Sequence, residues 1–147
     1  MAKPNYYQNL KDLFKQWIKT EEGTTHPYRE LLKYTPDLFL LLCKLMVNPM
    51  VPVSEKAKLA TVVAYFAAPV DLIPEETEGA AGFIDDIALA AYVLNSVAEN
   101  AALSTLESHW MVQEVSIMDL VNTIIENAEE MVGFDIWMAL KNRVGGA

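Results

Sequence analysis

The sequence predicts an all-α protein, a single compact bundle of five to six helices, on three observations. Apolar residues recur at i, i+3, i+4 and i+7 along most of the chain, and no stretch shows the strict alternation of a strand. Proline and glycine fall between the periodic segments. Just over half of the 147 residues are apolar and charge is moderate, which suits one well-filled core. Residues 1–147 are therefore read as one domain.

The elements are taken in chain order. From Asn5 to Lys19, the residues Tyr6, Leu10, Leu13, Phe14, Trp17 and Ile18 form one apolar face, with lysines on the other side. "TEEGTTHPY" reads as a loop in which Gly23 permits a helix stop. A short helix over Arg29–Lys33 precedes "TPDLFLLLCKLM", where Thr35 is the candidate N-cap and Pro36 the first helical residue. Its apolar residues run nearly all round, which predicts a central helix. After the two-proline turn "VNPMVPVS", Ser54 caps a helix from Glu55 that Pro69 should end near Ala67. Phe83 to Glu99 forms a further helix, rich in alanine for close approach by its neighbours. Ser104 and Glu107 have capping-box spacing over a short helix to Met111. Ser116 and Asp119 open the last helix, whose apolar face runs for some 24 residues from Ile117 to Leu140, with Gly133 able to bend it. Phe134 and Trp137 stand off that face and suggest a second contact surface.

Charge is unevenly placed. Residues 1–58 hold nine Lys and Arg against six acids, whereas Leu59 to Leu140 hold fourteen acids and no Lys or Arg. The net charge of −9 repels phosphate backbones, so nucleic acid is disfavoured as a partner. Two uses of the asymmetry compete: N-terminal helices that neutralise the acidic part, or an acidic face kept for a basic partner or a cation. No run of about 18 apolar residues and no signal peptide is present, so no transmembrane segment is expected and a cytoplasmic location is the default. Peripheral membrane contact would have to use the basic N-terminal helix, along Lys11, Lys15 and Lys19.

The densest chemistry lies in "YFAAPVDLIPEETEGAAGFIDDIALA", residues 65–90. Asp71 can accept the free N–H groups of the turn after it, Leu72 and Ile73 anchor a corner in the core, and Pro74 stiffens its exit. Gly82 permits a close backbone approach, and Asp85 with Asp86 lies in the first turn of a helix, where the macrodipole favours negative charge. The segment resembles the YkvA-like family, a domain of unknown function found in bacteria and in some eukaryotic ubiquitin-ligase proteins. The Pro-x-Asp-Leu-Ile-Pro pattern is matched by Pro69, Asp71, Leu72, Ile73 and Pro74, and the Gly-x-x-Asp-Asp pattern by Gly82, Asp85 and Asp86. "EETEGAA" stands where relatives often carry a further proline and bulky apolar residues. The resemblance implies a helical domain, with its core motif at about 55–100, and no agreed activity.

Two readings of these acids stand. In the first they seat neighbouring helices, and the chain is a non-enzymatic interaction or regulatory module whose partner is a second copy, a protein helix or the membrane surface; a peripheral membrane-associated protein is the further alternative. In the second, Asp71, Asp85 and Asp86 hold a divalent cation (Mg²⁺, Mn²⁺ or Ca²⁺) in a metal sensor or metal-dependent enzyme. No other cofactor is expected, and no residue is assigned a catalytic role. His26 and His109 lack zinc spacing, no nucleophile motif is present, and Cys43 reads as a small core residue.

Overall fold

The computed structural model describes residues 3–72, 83–101 and 103–145, without the side chains of 3–5 and 67–72. Among the described residues there are nine α-helices and no strand. They are α1 Lys3–Trp17, α2 Glu21–Thr25, α3 Arg29–Leu32, α4 Thr35–Met46, α5 Val53–Leu72, α6 Ile84–Asn100, α7 Leu103–His109, α8 Ile117–Val132 and α9 Phe134–Arg143. The all-α expectation holds and the count of five to six does not. Short pieces account for part of the difference, because five residues complete too few turns to show a period. In α2, Thr20 caps the helix by accepting from the Gly23 N–H at 3.0 Å. Gly23 is thus inside a helix, and a Cβ there would run into the Trp17 carbonyl.

Gly133 supplies the other division. At φ +91° it leaves the helical region and splits the long C-terminal face into α8 and α9. The break also resets the rotation of α9 relative to α8. Trp137, expected off the main face, is buried with Leu140 and Val144, while Ile136, expected on it, is exposed. Phe134 remains exposed. The Ser116 cap is formed, its hydroxyl accepting from the Asp119 N–H at 3.1 Å.

α6 is the hub. It packs against α4, α5, α7, α8 and α9, and Ile87, Leu89, Val93, Leu94 and Val97 are fully buried with Ala88, Ala90 and Ala91 between them. The alanines remove the bulk that would hold neighbouring helices apart, so α6, rather than the expected α4, takes the central place. α4 still contributes Leu38, Leu41, Leu42 and Leu45 to the core, but its end at Val47 is exposed.

α5 differs most from expectation: its backbone stays helical through Pro69 to Leu72 instead of stopping near Ala67. Pro69 has no N–H for the Tyr65 carbonyl and crowds the turn before it. In that turn the Tyr6 hydroxyl, reaching across from α1, donates to the Phe66 carbonyl at 2.6 Å. Packing outweighs the lost hydrogen bond: Leu59, Val62 and Phe66 are fully buried, and the Phe66 ring lies 5.4 Å from Phe39 and 6.1 Å from Phe83. Phe83 in turn meets Phe14 at 5.6 Å, so an aromatic cluster ties α1, α4 and α5 to the start of α6.

Candidate functional site

α5 and α6 run antiparallel, and each end of the pair buries one acid. At the first end Glu55 is 2 % exposed and fully partnered. Its carboxylate accepts from the Ser96 hydroxyl at 2.8 Å and the Asn100 amide at 3.2 Å, with the Lys58 ammonium 3.3 Å away. Lys58 also donates to Ser96 at 3.0 Å. This is a closed polar network, the arrangement a buried charge requires. Sequence reading placed Glu55 only as a first-turn acid; the i, i+4 spacing of Ser96 and Asn100 on a helix otherwise apolar was the available signal.

The second end carries the predicted acids, and there the pairing fails. Asp86 is 1 % exposed and its Oδ2 has no hydrogen-bond partner among the described residues. Asp85 is half-buried beside it. The helix N-terminus is capped by no side chain, since Phe83 stands at the cap position. Burial first, and the Asp85 charge second, push the Asp86 carboxyl up to about 8. Burial also raises Asp85. The positive end of α6 favours both carboxylates, but a macrodipole is worth roughly 0.3–2 kcal/mol. A displacement from the ordinary range to about 8, at about 1.4 kcal/mol per unit, is larger. Desolvation outweighs the macrodipole, so Asp86 keeps its proton well above the ordinary carboxylate range.

Two residues that sequence reading left out stand near these acids. Tyr65 on α5 is half-buried; its phenol is raised by burial first, then by Asp85, with Asp86 adding to it and Arg143 opposing. The Arg143 guanidinium lies 5.5 Å from the Tyr65 ring centroid. Arg143 comes from the end of α9, and the spacing of Trp137, Leu140 and Val144 is what turns it toward α5. Among the described residues it forms no ion pair with Asp85 or Asp86.

The remaining motif residues divide by what is described. The backbone of Pro69, Asp71 and Leu72 is in the last turns of α5. Asp71 is therefore helical, where a turn beyond the helix was expected. Its carboxylate, the Leu72 side chain, and all of Ile73, Pro74 and Gly82 lie outside the described residues. The expected convergence of Asp71 with Asp85 and Asp86 falls there too. Among the described residues, no group of three or more His, Cys, Asp or Glu side chains could hold a metal ion.

Elsewhere the candidates are accounted for by packing. His26 accepts the Tyr28 N–H at 3.0 Å and stands edge-on to Trp17, and His109 meets the Asn48 amide at 2.9 Å. Cys43 is half-buried and burial raises its thiol, which leaves it a weak nucleophile. None of the ion pairs among the described residues links the basic N-terminal part to the acidic stretch: Glu30 takes Arg29 and Lys33, and Glu55 takes Lys58.

Residues 55–92 match the family profile described as a protein of unknown function, DUF1232. The match runs from the Glu55 network to the middle of α6 and spans the whole motif segment. The chain is also 26 % identical over 134 residues to an uncharacterized protein, ORF9, of Methanothermobacter thermautotrophicus, covering 91 % of this chain and 89 % of that one. No solved structure matches. No described helix is long and apolar enough to cross a membrane. Over residues 55–92 the chain is thus similar to a family described as of unknown function.

Proposed function

We propose that this chain is a non-enzymatic regulatory or interaction module with its control point at Asp85 and Asp86. The observation that carries this reading is the Oδ2 of Asp86, without a hydrogen-bond partner among the described residues and buried at the start of the hub helix. The same helix pair satisfies Glu55 completely at its other end, so the unmatched acid is a local feature of one corner. A buried carboxyl of this kind is relieved by a proton or by a cation. Whichever occupies the corner shifts the balance between packings of α5 and α6 by its differential affinity for them. Exposed Phe134 and Met138, one turn apart on α9, offer an apolar surface through which such a change can be read by a protein partner or a second copy.

The reading from another class is a divalent-cation protein or metal-dependent enzyme built on Asp71, Asp85 and Asp86. The same orphaned oxygen favours it, because hard cations take carboxylate oxygens and would hold Asp86 ionised. One thermal titration separates the two. If a cation belongs there, Mg²⁺, Mn²⁺ or Ca²⁺ raises the melting temperature beyond a NaCl control of matched ionic strength, and Asp86→Asn removes the rise. If the corner answers to protons alone, melting follows pH and ignores the metal. A melting temperature indifferent to both sinks the control-point reading.

A further inference from the structure

The described exposed apolar side chains are not scattered. Three lie on α9, and the other five belong to the opposite end of the α5–α6 pair: Val47, Met50, Val53, Leu103 and Met111. Two hydrogen bonds place them together. Asn48 meets His109, bringing the loop between α4 and α5 beside the end of α7, and Asn100 meets Glu55, bringing the start of α7 beside the start of α5. Along the loop and at the first residue of α5, Val47 is 79 %, Met50 75 % and Val53 83 % exposed. Such values describe projecting side chains rather than the walls of a groove.

The projection is held in place. Val51, between the exposed residues, is 3 % exposed and anchors the loop in the core. Asn48 accepts the Met50 N–H at 2.8 Å with the oxygen of the amide that meets His109. Pro49 and Pro52 restrict the backbone on either side of Met50. Presenting these apolar groups therefore costs little further ordering. Along the chain the charges that flank the loop are basic: Lys44 and Lys56 have no acidic partner among the described residues, while Glu55 is turned inward and tied to Lys58; the exposed acids at this end, Glu99 and Glu107, belong to the neighbouring helices α6 and α7.

From this geometry we infer that the α4–α5 loop is a docking prong for an anionic lipid surface, entering the headgroup region with Val47, Met50 and Val53 while Lys44 and Lys56 meet the phosphates. A second copy is the weaker occupant, because five side chains expose a few hundred Å² at most and a stable protein interface takes about 800 Å² from each partner. Lipid needs no complementary shape, and apolar insertion combined with basic flanks is how interfacial elements bind anionic leaflets. The prong stands at the other end of the α5–α6 pair from the acidic corner, and it goes beyond the interaction reading, which has a protein or a second copy as partner. A failure here leaves the corner's response to pH or cation intact, and the reverse.

The test is flotation of the full chain with vesicles of phosphatidylcholine containing phosphatidylglycerol, against phosphatidylcholine alone. Wild type is expected to float with the anionic vesicles, less so as salt rises. Met50→Asp with Val53→Asp lowers the bound fraction about tenfold or more. Lys44→Gln with Lys56→Gln lowers it several-fold, and Lys11→Gln with Lys15→Gln leaves it unchanged. Circular dichroism melts check that the variants fold. Independently of any variant, brominated lipid should quench Trp110, next to Met111, more than the buried Trp17 and Trp137. Absence of wild-type flotation overturns the proposal, as does equal flotation of the aspartate variant. Loss confined to the Lys11 and Lys15 variant overturns it in favour of α1. A dimer that the aspartate variant dissolves overturns it in favour of a second copy.

Discussion

Asp86 is the residue whose surroundings fit its chemistry least, and its consequences can be measured. Its folded-state pKa of about 8 lies above the ordinary aspartate value, so the folded chain keeps a proton that the unfolded chain has lost. Stability is then greatest below about pH 4 as far as this group is concerned, and falls as pH rises toward 8 by up to about 1.4 kcal/mol per unit. Asp85 and Asp37, both raised by burial, act in the same direction. Urea midpoints across this range should decline for wild type, and Asp86→Asn should flatten most of the slope. A wild-type slope that is zero or positive would contradict the assignment. Gly23 makes a separate prediction at the same scale. A methyl group at this position collides with the Trp17 carbonyl, so Gly23→Ala should cost about 1–3 kcal/mol, although helix propensity alone favours alanine. Neither effect was fully legible in the sequence. The positions of Asp85 and Asp86 in a first turn were, but which of the two faces inward depends on the rotation of α6.

Helices were legible where a face repeated over several turns and obscure where it did not. The cap at Ser116 was readable because the side-chain bond is local, three residues apart in sequence. The two short helices α2 and α3 occupy little more than one turn each, and only the second was anticipated. Gly133 shows how one residue misleads by rotation: the chain on both sides is helical, yet Ile136 and Trp137 exchange the burial that a continuous helix would give them. α5 is the sharpest case, since a rule about proline was overridden by long-range packing of Phe66 and by the Tyr6 hydroxyl. If Pro69 lies inside a helix, Pro69→Ala restores a donor for the Tyr65 carbonyl and stabilises the chain, by up to about 3 kcal/mol. If the helix stopped before it, the same change would destabilise by about 0.4–1 kcal/mol through the unfolded chain. The sign of the change in urea midpoint decides between them.

Across the whole molecule, polar groups are sorted between the two ends of the α5–α6 pair. One end closes Glu55 into a network beside an apolar, basic-flanked loop; the other leaves Asp86 unmatched beside Asp85 and Tyr65. The motif segment was legible as the place of interest, since "GFIDD" combines a glycine, an apolar anchor and two acids at the start of a helix. What surrounds the acids was not. Tyr65 stands twenty residues before Asp85, and Arg143 arrives from the last helix. The expectation that N-terminal bases neutralise the acidic stretch finds no ion pair among the described residues. The control point depends on the protonation of one carboxyl, which carbon-detected NMR follows directly through the side-chain carboxyl resonance of Asp86. Without divalent cation it should titrate near pH 8, several units above the exposed aspartates of the same spectrum; a midpoint near 4 would contradict the assignment of a proton to that corner.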